Sequence, residues 1–141
     1  MASKTALSHA DCDRINEAFE KGRVCKNPHN IKRGEIYIAD LGMGIGSEQQ
    51  GIRPVLIIQN DIGNHFGNTV LVVPISSSNK REMTTHLSLS KGTGGLAKDS
   101  TLIVEQMRTV DKGRLKNRIG LLSADIMSKV NAKIMIQTGI M

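Results

Sequence analysis

The sequence predicts a small, mostly β protein: an antiparallel, barrel-like sheet, a C-terminal helix laid over it, and a second helix appended at the N-terminus. Three observations carry this reading. The chain has 141 residues, which fits one domain. Between residues 35 and 107, short apolar or alternating runs follow one another with polar or glycine-rich segments between them and no helical period. Helical spacing in this body appears only after Ser123.

Taken in order, residues 1–31 form the appended extension and 32–141 the main domain. In the extension, Ser8 is a helix cap, with Asp11 three residues later. Ile15, Ala18 and Phe19 mark one face, and Gly22 is the terminator. Asn27-Pro28-His29-Asn30 is a turn or linker. The first strand, Glu35–Asp40, alternates, with Ile36 and Ile38 inward and Glu35, Tyr37 and Ala39 outward. Leu41–Gly51 is a glycine-rich loop. Pro54 opens a buried strand, Val55–Gln59. Asn60–Asn68, with its Asn, Asp and Gly, is a second loop. Thr69–Ile75 is a buried strand and Ser76–Thr84 is polar. Thr85–Ser90 points Leu87 and Leu89 inward. Lys91–Asp99 is glycine-rich and Thr101–Met107 is a further strand, making five or six in all. Asp111–Arg118 is a basic turn or loop. Ser123 caps the last helix. Its Met127, Val130 and Ile134 share a face, and Gly139 ends it.

Composition narrows the function. No apolar run is long enough to span a bilayer, and two cysteines make no disulfide framework. Seven methionines and no signal-like start fit a reducing, cytoplasmic setting. A net charge of +6 suits a phosphate-rich partner. One tyrosine, two phenylalanines and no tryptophan argue against a protein that grips single strands by stacking bases on rings.

Metal and nucleotide sites find little support. Cys12, Cys25, His9 and His29 match no close-paired zinc spacing. Gly42-Met-Gly-Ile-Gly46 lacks the G-K-[ST] ending of a phosphate loop. No metal and no cofactor are expected. Three segments are more informative. Gly46-Ser-Glu-Gln-Gln-Gly-Ile-Arg-Pro54 sets Ser47, Glu48, Gln49, Gln50 and Arg53 directly before a buried strand, where an arginine suits a phosphate clamp. Pro74-Ile-Ser-Ser-Ser78 puts hydroxyls where another buried strand emerges. No spacing pairs His65 or His86 with Ser76, so serine-hydrolase chemistry is disfavoured, whereas a hydroxyl that donates to a phosphate oxygen needs no base. Arg108–Arg118 is a basic run that can extend a phosphate-binding track.

Several strings then fall into one order: Arg33-Gly-Glu-Ile-Tyr-Ile-Ala-Asp-Leu41, the Gly46–Ile58 string with G-S-E-Q-x-G-x-R-P, Gln59-Asn-Asp-Ile-Gly-Asn64, Val73-Pro-Ile-Ser76, Thr85-His86, Gly95-Leu96 with Asp99-Ser100, and Glu105-Gln-Met-Arg-Thr-Val-Asp-Lys112. From about Lys32 to about Ala132 this resembles the MazF/PemK family of toxins from type II toxin–antitoxin systems. The resemblance implies an SH3-like barrel with helices, paired as a homodimer. It implies a metal-independent endoribonuclease that cuts single-stranded RNA, such as mRNA, at short sequences. It also implies a MazE-like antitoxin whose C-terminal segment lies over the RNA site, and DNA binding as a complex with it. By position, the family's catalytic pair falls on Arg53 and Ser76, for attack by a ribose 2′-OH that leaves a 2′,3′-cyclic phosphate and a 5′-hydroxyl. Arginine's very high pKa makes it a charge stabiliser rather than a base. Glu48 is the candidate general base. Glu48, Gln49, Asn60, Glu105 and Gln106 are the candidates for contacting RNA bases.

The sequence departs from the family pattern at three places. Ser76 stands where threonine is common, the 41–46 loop lacks the proline many relatives carry, and residues 1–31 have no counterpart in typical members. Two other readings remain open on this sequence: a toxin-like protein that binds RNA or antitoxin without cutting, and a topoisomerase-blocking toxin on a similar scaffold.

Overall fold

The structure, a computed structural model, describes residues 30–78 and 83–140. The expected N-terminal helix, with Cys12, Cys25, His9 and His29, lies outside the described residues. The elements run β1 (Glu35–Asp40), β2 (Ile52–Ile57), α1 (Asp61–Phe66), β3 (Thr69–Ser76), β4 (His86–Leu89), β5 (Ser100–Ile103), β6 (Arg108–Asp111), β7 (Leu115–Leu121) and α2 (Ala124–Thr138). Short 3-10 turns cover Thr93–Gly95, Val104–Gln106 and Lys112–Arg114. The strands lie side by side in the order β4-β5-β3-β2-β1-β7, with β6 also paired to β3, and every pairing is antiparallel. This is the mostly β fold with a C-terminal helix that the sequence predicts.

Strand β3 organises the sheet because it is long enough to serve two partners on one edge. Thr69–Val72 pair with β6, and Ile75 and Ser76 pair with β5. The sheet therefore curls around two cores. Tyr37, Ala39, Val55, Ile57, Val70, Val72, Val110 and Leu115, joined by Ile31 and Leu41, fill the interior of the curl. Ile36, Leu56, Val73, Ile75, Leu102 and Val104 lie in a second core with Met127 and Val130 of α2. Ile31, assigned to the extension on sequence, is thus part of the barrel core.

This double burial corrects the reading of β1. Tyr37 and Ala39 point inward and are fully buried, while Ile38 is only half-buried. The expected alternation assumed a sheet with one wet face, and curling covers both. The polar groups inside are matched. The Glu35 carboxylate accepts from the Lys32 backbone N–H (2.6 Å), from the Tyr37 hydroxyl (3.4 Å) and from Arg118 Nε.

Two other expectations are corrected. Asn60–Asn68 is not all loop: Asn60 caps α1, its side chain accepting from the Gly63 N–H at 2.8 Å. Thr101–Met107 is not one strand. It breaks at the Val104–Gln106 turn, and Asp111–Arg118 holds the start of β7, giving seven strands. The polar stretch Lys116–Arg118 is tolerated because β7 is an edge strand with solvent outside. The last helix follows the sequence reading. Ser123 accepts from the Ile126 N–H, Met127 and Val130 are buried, and Gly139 closes it in the left-handed region. Among the described residues no helix is long and apolar enough to cross a membrane.

Candidate active site

The β2–β3 ladder stops at Val55 opposite Pro74. Pro54 and Pro74 have no N–H to continue it, so the two strand ends part. A cavity of about 620 Å³ opens in the mouth between them. Its walls are the Gly46–Gln50 loop, Ile52–Pro54, Ile75–Ser78, Leu96–Lys98 and Ser100. Arg53 comes from one strand end and Ser76 from the other.

Arg53 is half-buried and held at two points. Its Nε donates to the Gln50 carbonyl at 2.9 Å and its Nη1 to Gln49 Oε1 at 2.5 Å. A guanidinium carries five N–H donors, so three remain for a ligand. Ser76 is buried, and its hydroxyl shares a 2.8 Å hydrogen bond with the Ser78 hydroxyl and accepts from the Ser78 N–H at 3.3 Å. Glu48 lines the same cavity. One of its oxygens accepts from the Ile45 N–H at 2.6 Å, and the other has no hydrogen bond among the described residues. Lys98 stands on the far wall, exposed and without an ion pair among the described residues. Two cations, a row of serine hydroxyls and one carboxylate suit a phosphodiester whose negative charge grows during reaction.

The structure thus brings Arg53, Ser76, Glu48 and Gln49 to one cavity and leaves the other candidates outside its lining. Asn60 spends its side chain on capping α1. Glu105 accepts from Thr85 Oγ1 and from His86 Nε2, both at 2.8 Å. Burial works to raise its carboxyl. Hydrogen bonds from His86, from its own backbone and from Thr85 outweigh that and hold it below the usual range. Gln106 reaches the site from behind: its Nε2 donates to the Ser47 carbonyl at 3.0 Å and its Oε1 accepts from the Gln49 N–H at 3.4 Å. Lys98 and Ser100 also line the cavity, and of the two only Ser100 falls within a matching string, Asp99-Ser100. Their place in the cavity depends on the 3-10 turn Thr93–Gly95, which seats this wall against β7. The signal was present, but nothing local ties it to residues 46–54.

The fold is a curled antiparallel sheet with a helix across it, and its cavity takes an arginine from one parted strand end and a serine hydroxyl from the other. The chain belongs to the PemK-like, MazF-like toxin family of type II toxin–antitoxin systems, whose profile matches residues 32–138. It is 47% identical over 111 residues to the endoribonuclease MazF of Staphylococcus saprophyticus, covering 78% of this chain and 92% of that protein. It is 44% identical over 107 residues to the endoribonuclease EndoA of Bacillus subtilis, covering 75% and 92%. In fold it is similar to the crystal structure of MazF from Deinococcus radiodurans, with a TM-score of 0.68, 20% identity and 77% and 96% of the two chains covered. It is similar also to a mycobacterial endoribonuclease solved with its cognate antitoxin, with a TM-score of 0.66, 22% identity and 79% and 97% covered.

Proposed function

We propose that this protein is the toxin of a type II toxin–antitoxin pair and cleaves single-stranded RNA without a metal ion. The observation that carries the reading is the shared cavity of Arg53 and Ser76, in a chain whose relatives at 44–47% identity are named endoribonucleases. The ribose 2′-OH oxygen attacks the adjacent phosphorus and passes its proton to the free oxygen of Glu48. The bond from phosphorus to the 5′ oxygen breaks, and that oxygen takes a proton from solvent water as it leaves, the proton held by Glu48 returning to solvent afterwards. The products are a 2′,3′-cyclic phosphate and a 5′-hydroxyl. Negative charge builds on the phosphoryl oxygens in between. This reading assigns its stabilisation to the three Arg53 donors not bonded to Gln49 or Gln50 and to the Ser76 hydroxyl.

The partners follow from the family. One is a MazE-like antitoxin whose C-terminal segment covers the cavity, the pair then binding DNA together. The other is a second copy of this chain, a homodimer that light scattering at micromolar concentration reads directly. The setting is the cytoplasm. Residues 1–30 stand outside the catalytic unit, so their removal, which spares the buried Ile31, leaves cleavage within a few-fold.

The deciding experiment incubates the purified protein with a long, weakly structured RNA in EDTA and maps both new ends. Cyclic phosphate and 5′-hydroxyl ends at a recurring short sequence are expected. Intact RNA, cutting that requires a metal, or cutting of an all-deoxy strand overturns the mechanism.

A further inference from the structure

Residues 43–50 form a loop that is costly to hold in one shape. Gly46 and Gly51 sit at φ of 58° and 78°, and glycine loses more freedom on ordering than any other residue. Two side-chain contacts close the loop on itself: Glu48 to the Ile45 N–H and Gln50 to the Gly44 N–H. Among the described residues, the only hydrogen bonds from this loop to any residue beyond 41–53 are the two made by Gln106. Gln106 is itself fixed, because it ends the 3-10 turn whose Glu105 is tied to Thr85 and His86 on the β4 side. The loop in turn holds Arg53 through Gln49 and Gln50.

We propose that Gln106 is a positioning residue that aims the Arg53 guanidinium through the 46–50 loop. Both ends of its amide are spent on loop backbone, at the Ser47 carbonyl and the Gln49 N–H. Each of the two atoms keeps one further N–H or lone pair, but the plane of the amide is set by the loop backbone and not by a base edge. The inference rests on the RNA-cleavage reading above and assigns Gln106 a different role within it from base contact. A guanidinium displaced by about 1 Å at a reacting phosphate costs about 10²-fold in rate. The cost falls mainly on the chemical step, because the Ile75–Ser78 and Leu96–Lys98 walls of the cavity, to which Gln106 makes no hydrogen bond among the described residues, stay in place.

The test is a double-mutant cycle on the full chain, using an oligonucleotide that carries the cleaved sequence with a single ribose at the cut site. Gln106→Met keeps the shape and removes both hydrogen bonds, and Gln106→Ala is the companion variant. Each is expected to slow single-turnover cleavage at saturating protein by about 10²-fold. The Kd for the same strand with deoxyribose at the cut site stays within about threefold, and the cleaved sequence does not change. In an Arg53→Ala background the same substitutions are expected to cost at least about tenfold less than in wild type, since the guanidinium is gone and only Glu48 of the same loop remains to be displaced. Additive losses in that background, a Kd weakened more than tenfold at unchanged rate, or a shifted cleavage sequence overturns the proposal in favour of base contact. Wild-type protein that leaves RNA intact sinks the parent reading instead. The Arg53 Nε–H resonance then decides the positioning claim alone: slow solvent exchange in wild type and fast exchange in Gln106→Met support it, and unchanged exchange overturns it.

Discussion

Arg53 and Ser76 lie on the two strand ends just past Val55 and Pro74, the last paired residues of the β2–β3 ladder. Each stands two positions beyond its end of that pair, hence on the same face of its strand. Ala39 pairs with Arg53 on one side and Thr101 with Ser76 on the other, so rigid neighbours hold both. Where the ladder stops, the cavity opens between the two strand ends.

Replacing Arg53 with Ala should lower single-turnover cleavage by about 10²–10³-fold, the usual cost of losing one preorganised donor to a developing charge. Arg53→Lys should recover little. A single ammonium cannot bond Gln49 and Gln50 and still offer a planar fork to phosphate. Rates on a single-ribose oligonucleotide in EDTA check this, and a lysine variant within tenfold of wild type would contradict it.

Ser76→Ala should be comparably severe, and Ser76→Thr should keep or raise activity, because threonine retains the hydroxyl and stiffens its rotamer. Ser78→Ala is the informative third variant. It removes the partner 2.8 Å from the Ser76 hydroxyl and should cost about tenfold, about one hydrogen bond's worth of orientation. Ser76→Ala at wild-type rate with Ser78→Ala inactive would move the donor role to Ser78.

Tyr37 is the protein's one tyrosine, and there is no tryptophan, so its ionisation can be followed alone in the ultraviolet. Burial, the nearby Glu35 charge and the hydrogen bond to that carboxylate push its hydroxyl from 10.0 up to about 12. The folded state therefore favours the protonated phenol. That stabilisation is complete below pH 10 and is lost as pH rises through about 12. The folded protein should show no phenolate absorbance at pH 10.5, whereas the urea-unfolded chain should show more than half its maximum. Equal titration in both states would place Tyr37 outside the core.

Gly120 of β7 meets the 94–95 turn so closely that an added Cβ would lie 2.0 Å from the Gly94 carbonyl oxygen. Backbone must move to admit it. Gly120→Ala should destabilise by about 1–3 kcal/mol in urea titration, the usual range for overpacking. The turn leads into Leu96–Lys98, so cleavage should fall as well. An alanine variant as stable as wild type would show that the turn does not rest on β7.

The sequence by itself determined the buried strands around Val55–Ile57 and Val70–Ile75, the last helix with its Ser123 and Gly139 caps, and the strings that bring Arg53, Ser76, Glu48 and Gln49 into view. These are local or pairwise facts: period, cap and motif order are properties of neighbours along the chain. Tertiary structure alone decided which way Tyr37 faces, because a period of two names two faces and curling buries both. It alone decided that Glu105 bonds Thr85 and His86, that Asn60 caps α1, and that Gln106 reaches the Arg53 loop. A polar side chain in a motif looks the same whether its hydrogen bonds are taken or free. Only the packing of residues some 60 positions apart, as between Ser47 and Gln106, settles which.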